Sequence, residues 1–236
     1  MSESKQTWNQ VEEGCGVWTA QYKLPNMKVT STIVQLNDGN FLVISPGKNL
    51  LDSAKQEVFG DKIPTFVLAP NNWHHMGINP WLEVFPDMKV VADQQAIPRL
   101  TKKAITNIQS LDVLKPLLPS SMHLLVPEAC NLGEVWLSFK TSAGTNWVVC
   151  DAFFNISQTP KKLLPKLIMT VFKSGPGLSM STLMVLFGFS NRKQFKKWVL
   201  DQIDKEHPKG LIPAHGDNIF DPDLPERLRN IVQERL

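Results

Sequence analysis

Cysteine is scarce in this sequence. Cys15, Cys130 and Cys150 are the three examples among 236 residues. An odd and sparse count argues against the disulfide framework of a small secreted protein. The first residues, Met1 to Glu13, are polar and acidic and lack the basic-then-apolar order of a signal peptide. These features predict a protein of the reducing cytoplasm.

Long hydrophobic runs are also absent. The most apolar stretch, Leu178 to Phe189, has about a dozen residues, which is short of the roughly 20 needed to cross a bilayer. We therefore expect no membrane span. We interpret this stretch as a buried helix, and the alternative is a mobile lid over a site.

Neither sign of charge dominates. The 25 basic and 22 acidic residues are interspersed and give a formal net charge of +3, so the sequence predicts no nucleic-acid partner. Basic residues cluster twice, at Lys161 and Lys162 and at Arg192, Lys193, Lys196 and Lys197. We interpret both clusters as solvated helix faces, with a weak attraction to an anionic membrane or substrate as the alternative.

Three common catalytic motifs are missing. The sequence contains no G-x-S-x-G, no P-loop and no G-x-G-x-x-G, which argues against a serine hydrolase, a nucleotide hydrolase and a dinucleotide enzyme. The length suits one large α/β domain, with two small domains as the alternative.

In the first half of the chain, β-rich runs alternate with turn signals. Met27 to Leu36 and Phe41 to Ile44 flank an Asn-Asp-Gly-Asn turn and predict a hairpin. Thr65 to Ala69 predicts a buried strand that ends at Pro70, and Lys89 to Ala92 predicts a short strand.

A second cluster of strands follows in the other half. Glu134 to Phe139 and Asn146 to Cys150, separated by a glycine-marked turn, predict an antiparallel pair. Asn191 to Lys205 predicts a helix capped by its asparagine, and Leu211 to Ala214 a short strand. Two strand clusters, each followed by helices, predict an α/β fold with substantial antiparallel character.

Ligand-type side chains come directly after three of these strands. They are His74 and His75, Asp151, and the run His215-Gly216-Asp217. Imidazoles and carboxylates together suit zinc, iron or manganese. A hydrogen-bonded structural role is the commoner explanation for any single histidine, so spacing alone leaves both interpretations open.

The ordered set of these segments resembles the metallo-β-lactamase superfamily, particularly a hydrolase-like branch of domains of unknown function. The matching segments are Ile33 to Pro46, Ala69 to His75, Trp81 to Pro86, Cys150 to Asn155 and Ile212 to Asp217. They span nearly the whole chain in the family order.

The main metal motif of the superfamily, H-x-H-x-D-H-x-G, corresponds to the stretch from Pro70 to Gly77. Pro70 and Asn72 replace its first two histidines. His74 stands in place of the aspartate, and His75 matches the last histidine. Further along, Cys130 stands where the next histidine is expected, Asp151 matches the bridging carboxylate, and His215 matches the final histidine.

The resemblance implies an α/β (α+β) fold of the metallo-β-lactamase type, an αββα four-layer sandwich. Residues 1–26 would form an N-terminal extension and 27–236 a single domain, in which 161–190 would be a helical insertion near the site.

The resemblance also implies a metal-dependent hydrolase. His74, His75, Asp151 and His215 would hold one divalent ion, with zinc favoured over iron or manganese, because Pro70 and Asn72 remove ligands of a second ion. Asp151 and His74 would also contribute to catalysis. Metal-activated water would hydrolyse a small-molecule ester, thioester, lactone or phosphoester. The alternative is a non-catalytic member of the fold that binds a ligand or partner in its cleft, with or without metal.

Overall fold

The chain divides into two compact units, Met1–His123 and Leu124–Leu236. A computed structural model describes residues 7–24, 27–157 and 176–236. Within these ranges, no helix combines the length and apolar character that a membrane span requires.

The first unit contains a six-stranded sheet whose strands follow one another in chain order. The first four strands pair antiparallel, and the last three pair parallel. The strands are β1 (Asn9–Gln10), β2 (Val17–Leu24), β3 (Met27–Gln35), β4 (Phe41–Ile44), β5 (Pro64–Ala69) and β6 (Lys89–Ala92).

Short helices follow the strands of this unit and cover its core. They are α1 (Leu51–Ala54), continued by a wider turn over Lys55–Phe59, then α2 (Ile78–Leu82) and α3 (Ile97–Lys102). Trp81 of α2 is fully buried in this core, and its indole N–H donates to the Gly47 carbonyl at 3.0 Å. That hydrogen bond satisfies the polar atom of a large apolar side chain, as burial requires.

The second unit contains a five-stranded sheet and a separate two-stranded one. The larger sheet has the order β13-β12-β9-β8-β7, in which β8 and β9 pair antiparallel and β9 and β12 pair parallel. Its strands are β7 (Met122–Leu125, whose first two residues belong to the first unit), β8 (Trp136–Thr141), β9 (Gly144–Val149), β12 (Gly210–Pro213) and β13 (Ile219–Phe220). The small sheet pairs β10 (Phe153–Ile156) with β11 (Gly177–Met180).

Two helices complete this unit, α4 (Arg192–Glu206) and α5 (Leu224–Arg235). The side-chain amide oxygen of Asn191 accepts the Gln194 N–H at 3.1 Å, so the predicted helix cap is confirmed. Trp136 packs against the rings of Trp147, Phe153 and Trp198.

The range 1–26, expected to be an N-terminal extension, contains β1 and all of β2, and β2 pairs along its whole length with β3. The interpretation of Leu178 to Phe189 as a buried helix is wrong, because β11 occupies its first residues and the helical turn that follows exposes several apolar side chains.

The expected helical insertion, 161–190, falls partly outside the described residues, which resume at 176. Its described part contains β11 and a helical turn over 182–188. The basic pair Lys161 and Lys162 also lies outside the described residues.

Candidate functional site

In the first unit, the loop after β5 carries the two adjacent histidines. Asn71, fully buried in this loop, accepts the backbone N–H groups of Trp73 at 2.9 Å and His74 at 3.0 Å through its side-chain oxygen. An asparagine that bonds the backbone two and three residues on forms a tight local turn. This turn fixes the direction in which the chain presents His74.

Ser45, at the end of β4, contacts the same histidine. Its hydroxyl lies 2.7 Å from His74 Nδ1, and its carbonyl accepts the Ser31 hydroxyl at 2.6 Å. Ser45 has φ of 53°, a conformation that L-residues other than glycine rarely adopt. The backbone of β4 thus ends in an uncommon conformation where its side chain meets the imidazole.

Gly77 closes this loop against the end of β4. A Cβ added at Gly77 would lie 1.7 Å from the Pro46 carbonyl oxygen. The backbone at Gly77 therefore lies so close to the backbone at Pro46 that no residue with a Cβ fits there. This contact anchors the loop that carries the histidines and explains the glycine of the matching motif.

His75 has a different environment from His74. Its pKa is lowered, first by partial burial and then by the positive charges of Lys103, Arg99 and His74. α3 carries Arg99, and Lys103 follows it directly. Nearby positive charge disfavours a bound cation at His75.

In the second unit, the ends of two neighbouring strands bring Asp151 and His215 together. β9 and β12 run parallel, with Val149 opposite Pro213, and each side chain follows two residues later. His215 Nε2 lies 3.1 Å from Asp151 Oδ1, and the two side chains are 18% and 11% exposed. The strand pattern predicted these residues only as separate strand ends, and the family resemblance placed them in one ligand set. The structure pairs them directly.

Glu134 holds the turn that carries Asp151, and the sequence analysis missed it. Its carboxylate accepts the Trp136 indole N–H at 2.7 Å and the backbone N–H groups of Asp151 at 3.2 Å and Ala152 at 3.0 Å. Burial, followed by the charge of Asp151, raises the pKa of Glu134 to about 7. A lone acid within the apolar run 132–136 is the signal that could have identified it.

Gly216 fits the backbone behind His215 closely. It has φ of +98°, and an added Cβ would lie 1.9 Å from the Asn155 carbonyl oxygen. Asn155 also donates its N–H to the His215 carbonyl at 3.0 Å. The His-Gly-Asp run therefore lies against β10 and holds His215 in position.

The remaining motif positions are not ligand-rich. Pro70 has no donor side chain, and Asn72 is 8% exposed. Cys130 is buried and forms a backbone bridge with Phe189. Cys150 is 1% exposed, and burial raises the pKa of its thiol. Cys150 is thus a small residue of the core.

Comparison with solved structures identifies the fold. A metallo-β-lactamase from Erythrobacter litoralis, solved with β-mercaptoethanol in its active site, has a TM-score of 0.64 at 10% identity and covers 99% of each chain. One from Pontibacter korlensis has a TM-score of 0.62 at 9% identity, over 97% of this chain and 99% of that one. The metallo-β-lactamase FIM-1 from Pseudomonas aeruginosa, in its mono-zinc form, has a TM-score of 0.63 at 11% identity, over 98% and 96%.

The chain therefore has the metallo-β-lactamase fold, and the predicted fold class is confirmed. No family model matches the sequence, and no curated protein is significantly similar to it in sequence. Likeness at such low identity establishes the fold, and function has to be argued from the residues.

Proposed function

We propose that this protein is a single-metal hydrolase in which His74, Asp151 and His215 ligate one divalent ion. Each of the three side chains can offer one ligand atom. The observation that carries the proposal is the pair of Asp151 and His215, 3.1 Å apart at the ends of parallel strands, in a chain with the metallo-β-lactamase fold.

The donor set suits such an ion. Two imidazoles and one carboxylate are ligands that zinc accepts, and three protein ligands leave a position for water. Iron and manganese also accept these donors. FIM-1, which shares the fold, has been solved with a single zinc. We favour zinc, and one ion only, because Pro70 and Asn72 lack the imidazoles of the family motif.

The electrostatics of the second unit favour a cation beside Asp151. Its carboxylate is 11% exposed, and the fully buried carboxyl of Glu134 bonds to the same turn. Two acidic groups in one apolar environment repel each other when ionised. A divalent ion on Asp151 would offset that repulsion.

The two histidines of the first unit differ in suitability. Ser45 holds Nδ1 of His74, an arrangement in which the other ring nitrogen ligates while the hydroxyl fixes the tautomer and ring orientation. His75 instead lies near Arg99 and Lys103. We therefore assign ligation to His74 and leave His75 outside the ligand set.

The substrate class follows from the chemistry that such an ion supplies, which is Lewis acidity toward water and toward a carbonyl or phosphoryl oxygen. We propose a small ester, thioester, lactone or phosphoester. Asp151 would orient the attacking water through the oxygen that does not ligate, and His74, whose Nδ1 Ser45 holds, would position the ion through its other ring nitrogen. Both roles require that these residues keep the positions that Glu134 and Ser45 impose.

The test is metal analysis of untagged protein by mass spectrometry, with hydrolysis of p-nitrophenyl acetate and bis(p-nitrophenyl) phosphate. We expect one ion per chain in wild type, none in Asp151→Ala or His215→Gln, and retention in His75→Ala, the matched control. Only the proteins that retain the ion should hydrolyse these substrates. Thermal unfolding of each variant identifies any loss caused by misfolding.

The same experiment decides the second candidate, a non-catalytic binding module. The loss of two motif histidines at Pro70 and Asn72 favours that candidate. Protein that takes up no ion after incubation with zinc or iron would contradict the hydrolase. If the protein binds an ion but hydrolyses no substrate class, the result would support the binding module.

We also propose a cytoplasmic location. Cys15, Cys130 and Cys150 are all free thiols, which suits a reducing compartment. Fractionation of cells that express the untagged chain tests this directly.

A further inference from the structure

The helical turn over 182–188 presents an exposed apolar face, formed by Leu183, Leu186 and Phe187. These side chains are 51%, 50% and 67% exposed. Their spacing of three and four residues places them on one side of the turn. Met184, on the other side, is fully buried and attaches the turn to the second unit. Adjacent large apolar side chains in water mark an interaction surface.

A basic cluster, formed by Arg192, Lys193 and Lys196, follows on α4. Arg192 and Lys193 are exposed, and Lys196 is half-buried. Within the described ranges, none of the three has an ion-pair partner. Their positive charges are therefore available to an external anion.

The acids around this cluster already have partners. Lys197 pairs with Asp201 at 2.5 Å, and Glu128 accepts the side-chain N–H of Gln194 at 3.1 Å. The hydrogen bond and charge of Asp201, and to a smaller extent the charge of Glu128, raise the pKa of Lys197. Four cations thus face two acids, and the surface keeps a net positive charge.

The apolar face and the basic cluster lie close enough to meet one partner. Phe189, directly after the turn, stacks on Phe195 of α4 with ring centroids 3.9 Å apart. Arg192 lies five positions after Phe187, so their Cα atoms are at most about 18 Å apart. A lipid surface extends far beyond that distance and can contact both groups at once.

We propose that this face binds an anionic membrane surface. The apolar side chains enter the boundary between headgroups and acyl chains, and the basic cluster contacts lipid phosphates. Exposed leucine side chains bury no apolar surface against the phosphates of a nucleic acid, whereas leucine and phenylalanine both bury it at a lipid interface. Charge complementarity selects anionic lipid over neutral lipid.

The test is cosedimentation of the full untagged chain with vesicles of phosphatidylcholine alone, or of equal parts phosphatidylcholine and phosphatidylglycerol. We expect binding to the anionic vesicles that weakens at high salt. Changing Arg192, Lys193 and Lys196 together to Gln should lower the partition coefficient on the order of a hundredfold, since each basic residue near the surface contributes about fivefold.

A second variant tests the apolar face separately. Changing Leu183, Leu186 and Phe187 to Ser should also abolish most binding. The matched control is Phe220→Ser, because Phe220 is a phenylalanine of β13 in the same unit that is 58% exposed. Circular dichroism and thermal unfolding establish that each variant folds. We expect that they do, because the substituted side chains are exposed.

Several results would overturn the proposal. Wild type could fail to bind anionic vesicles, or could bind neutral vesicles equally well. Either triple variant could also bind anionic vesicles as strongly as wild type does. Self-association of wild type in analytical ultracentrifugation, lost in the serine variant and without vesicle binding, would assign the face to a second copy of the chain instead.

Discussion

Glu134 should make the stability of the folded chain depend on pH. The side chain is fully buried, and its pKa is raised from 4.5 to about 7, chiefly by burial and then by the charge of Asp151. Hydrogen bonds from the indole of Trp136 and from two backbone N–H groups offset part of that rise. In the unfolded chain these influences are absent, and the carboxyl returns to its ordinary pKa.

The direction of the effect follows from proton binding. Below pH 4.5 both states hold the proton, and the contribution of Glu134 to stability is fully present. Between pH 4.5 and about 7 the unfolded chain releases the proton while the folded chain retains it, so the free energy of unfolding falls as pH rises. The loss above pH 7 is about 3 kcal/mol, because a tenfold change in proton affinity corresponds to about 1.4 kcal/mol.

The assay is urea unfolding of wild type and Glu134→Gln across this pH range, with a chelator present so that no bound ion adds its charge. The glutamine does not titrate, so the difference in unfolding free energy between the two proteins should change by about 3 kcal/mol. Glu226→Gln, which removes an exposed carboxyl, serves as the control. Parallel pH profiles for wild type and Glu134→Gln would refute the reasoning.

Three further changes test the surroundings of the candidate site. Gly216→Ala should lower the unfolding free energy by more than about 2 kcal/mol in urea melts, because it adds a steric clash to a positive φ, whereas Gly14→Ala, with φ of +80° and open space, should cost only about 1 kcal/mol. Ser45→Ala should weaken zinc affinity about tenfold or more in competition titrations, through loss of its bond to His74; unchanged affinity would contradict that role. Asn191→Ala should cost about 1 kcal/mol in thermal unfolding, as the loss of a helix cap does, and no loss would show that its cap hydrogen bond is not stabilising.

Local patterns in the sequence predict much of this fold. The hairpin of β3 and β4, the buried strand β5 and the capped helix α4 are all confirmed within one or two residues. Each is encoded by neighbouring residues, through an apolar run, a turn signal or a capping side chain. Such signals act over a few positions and do not depend on the rest of the chain.

Other elements have weaker local signals and were missed. β2 mixes Thr, Gln and Lys with its apolar residues, and it is a strand because β3 pairs along its full length. α5 is mostly polar, although Leu224, Leu228 and Val232 recur at helical spacing and are fully buried. The burial of Glu134 depends on backbone N–H groups 17 and 18 residues away, which no local pattern reveals.

The pairing of Asp151 with His215 shows how topology creates a site from separated residues. The two positions are 64 residues apart, and each follows a predicted strand. Local patterns do not show that these strands are neighbours, and only the family resemblance predicted that the two side chains share a site. Because β9 and β12 run parallel, their carboxyl ends lie at the same edge of the sheet. Val149 lies opposite Pro213, and both side chains follow that pair by two residues. The Ala214 N–H donates to the Val149 carbonyl at 2.9 Å, so the pairing continues past the strand ends. The carboxylate and the imidazole, at equal offsets from the last strand pair, therefore lie 3.1 Å apart.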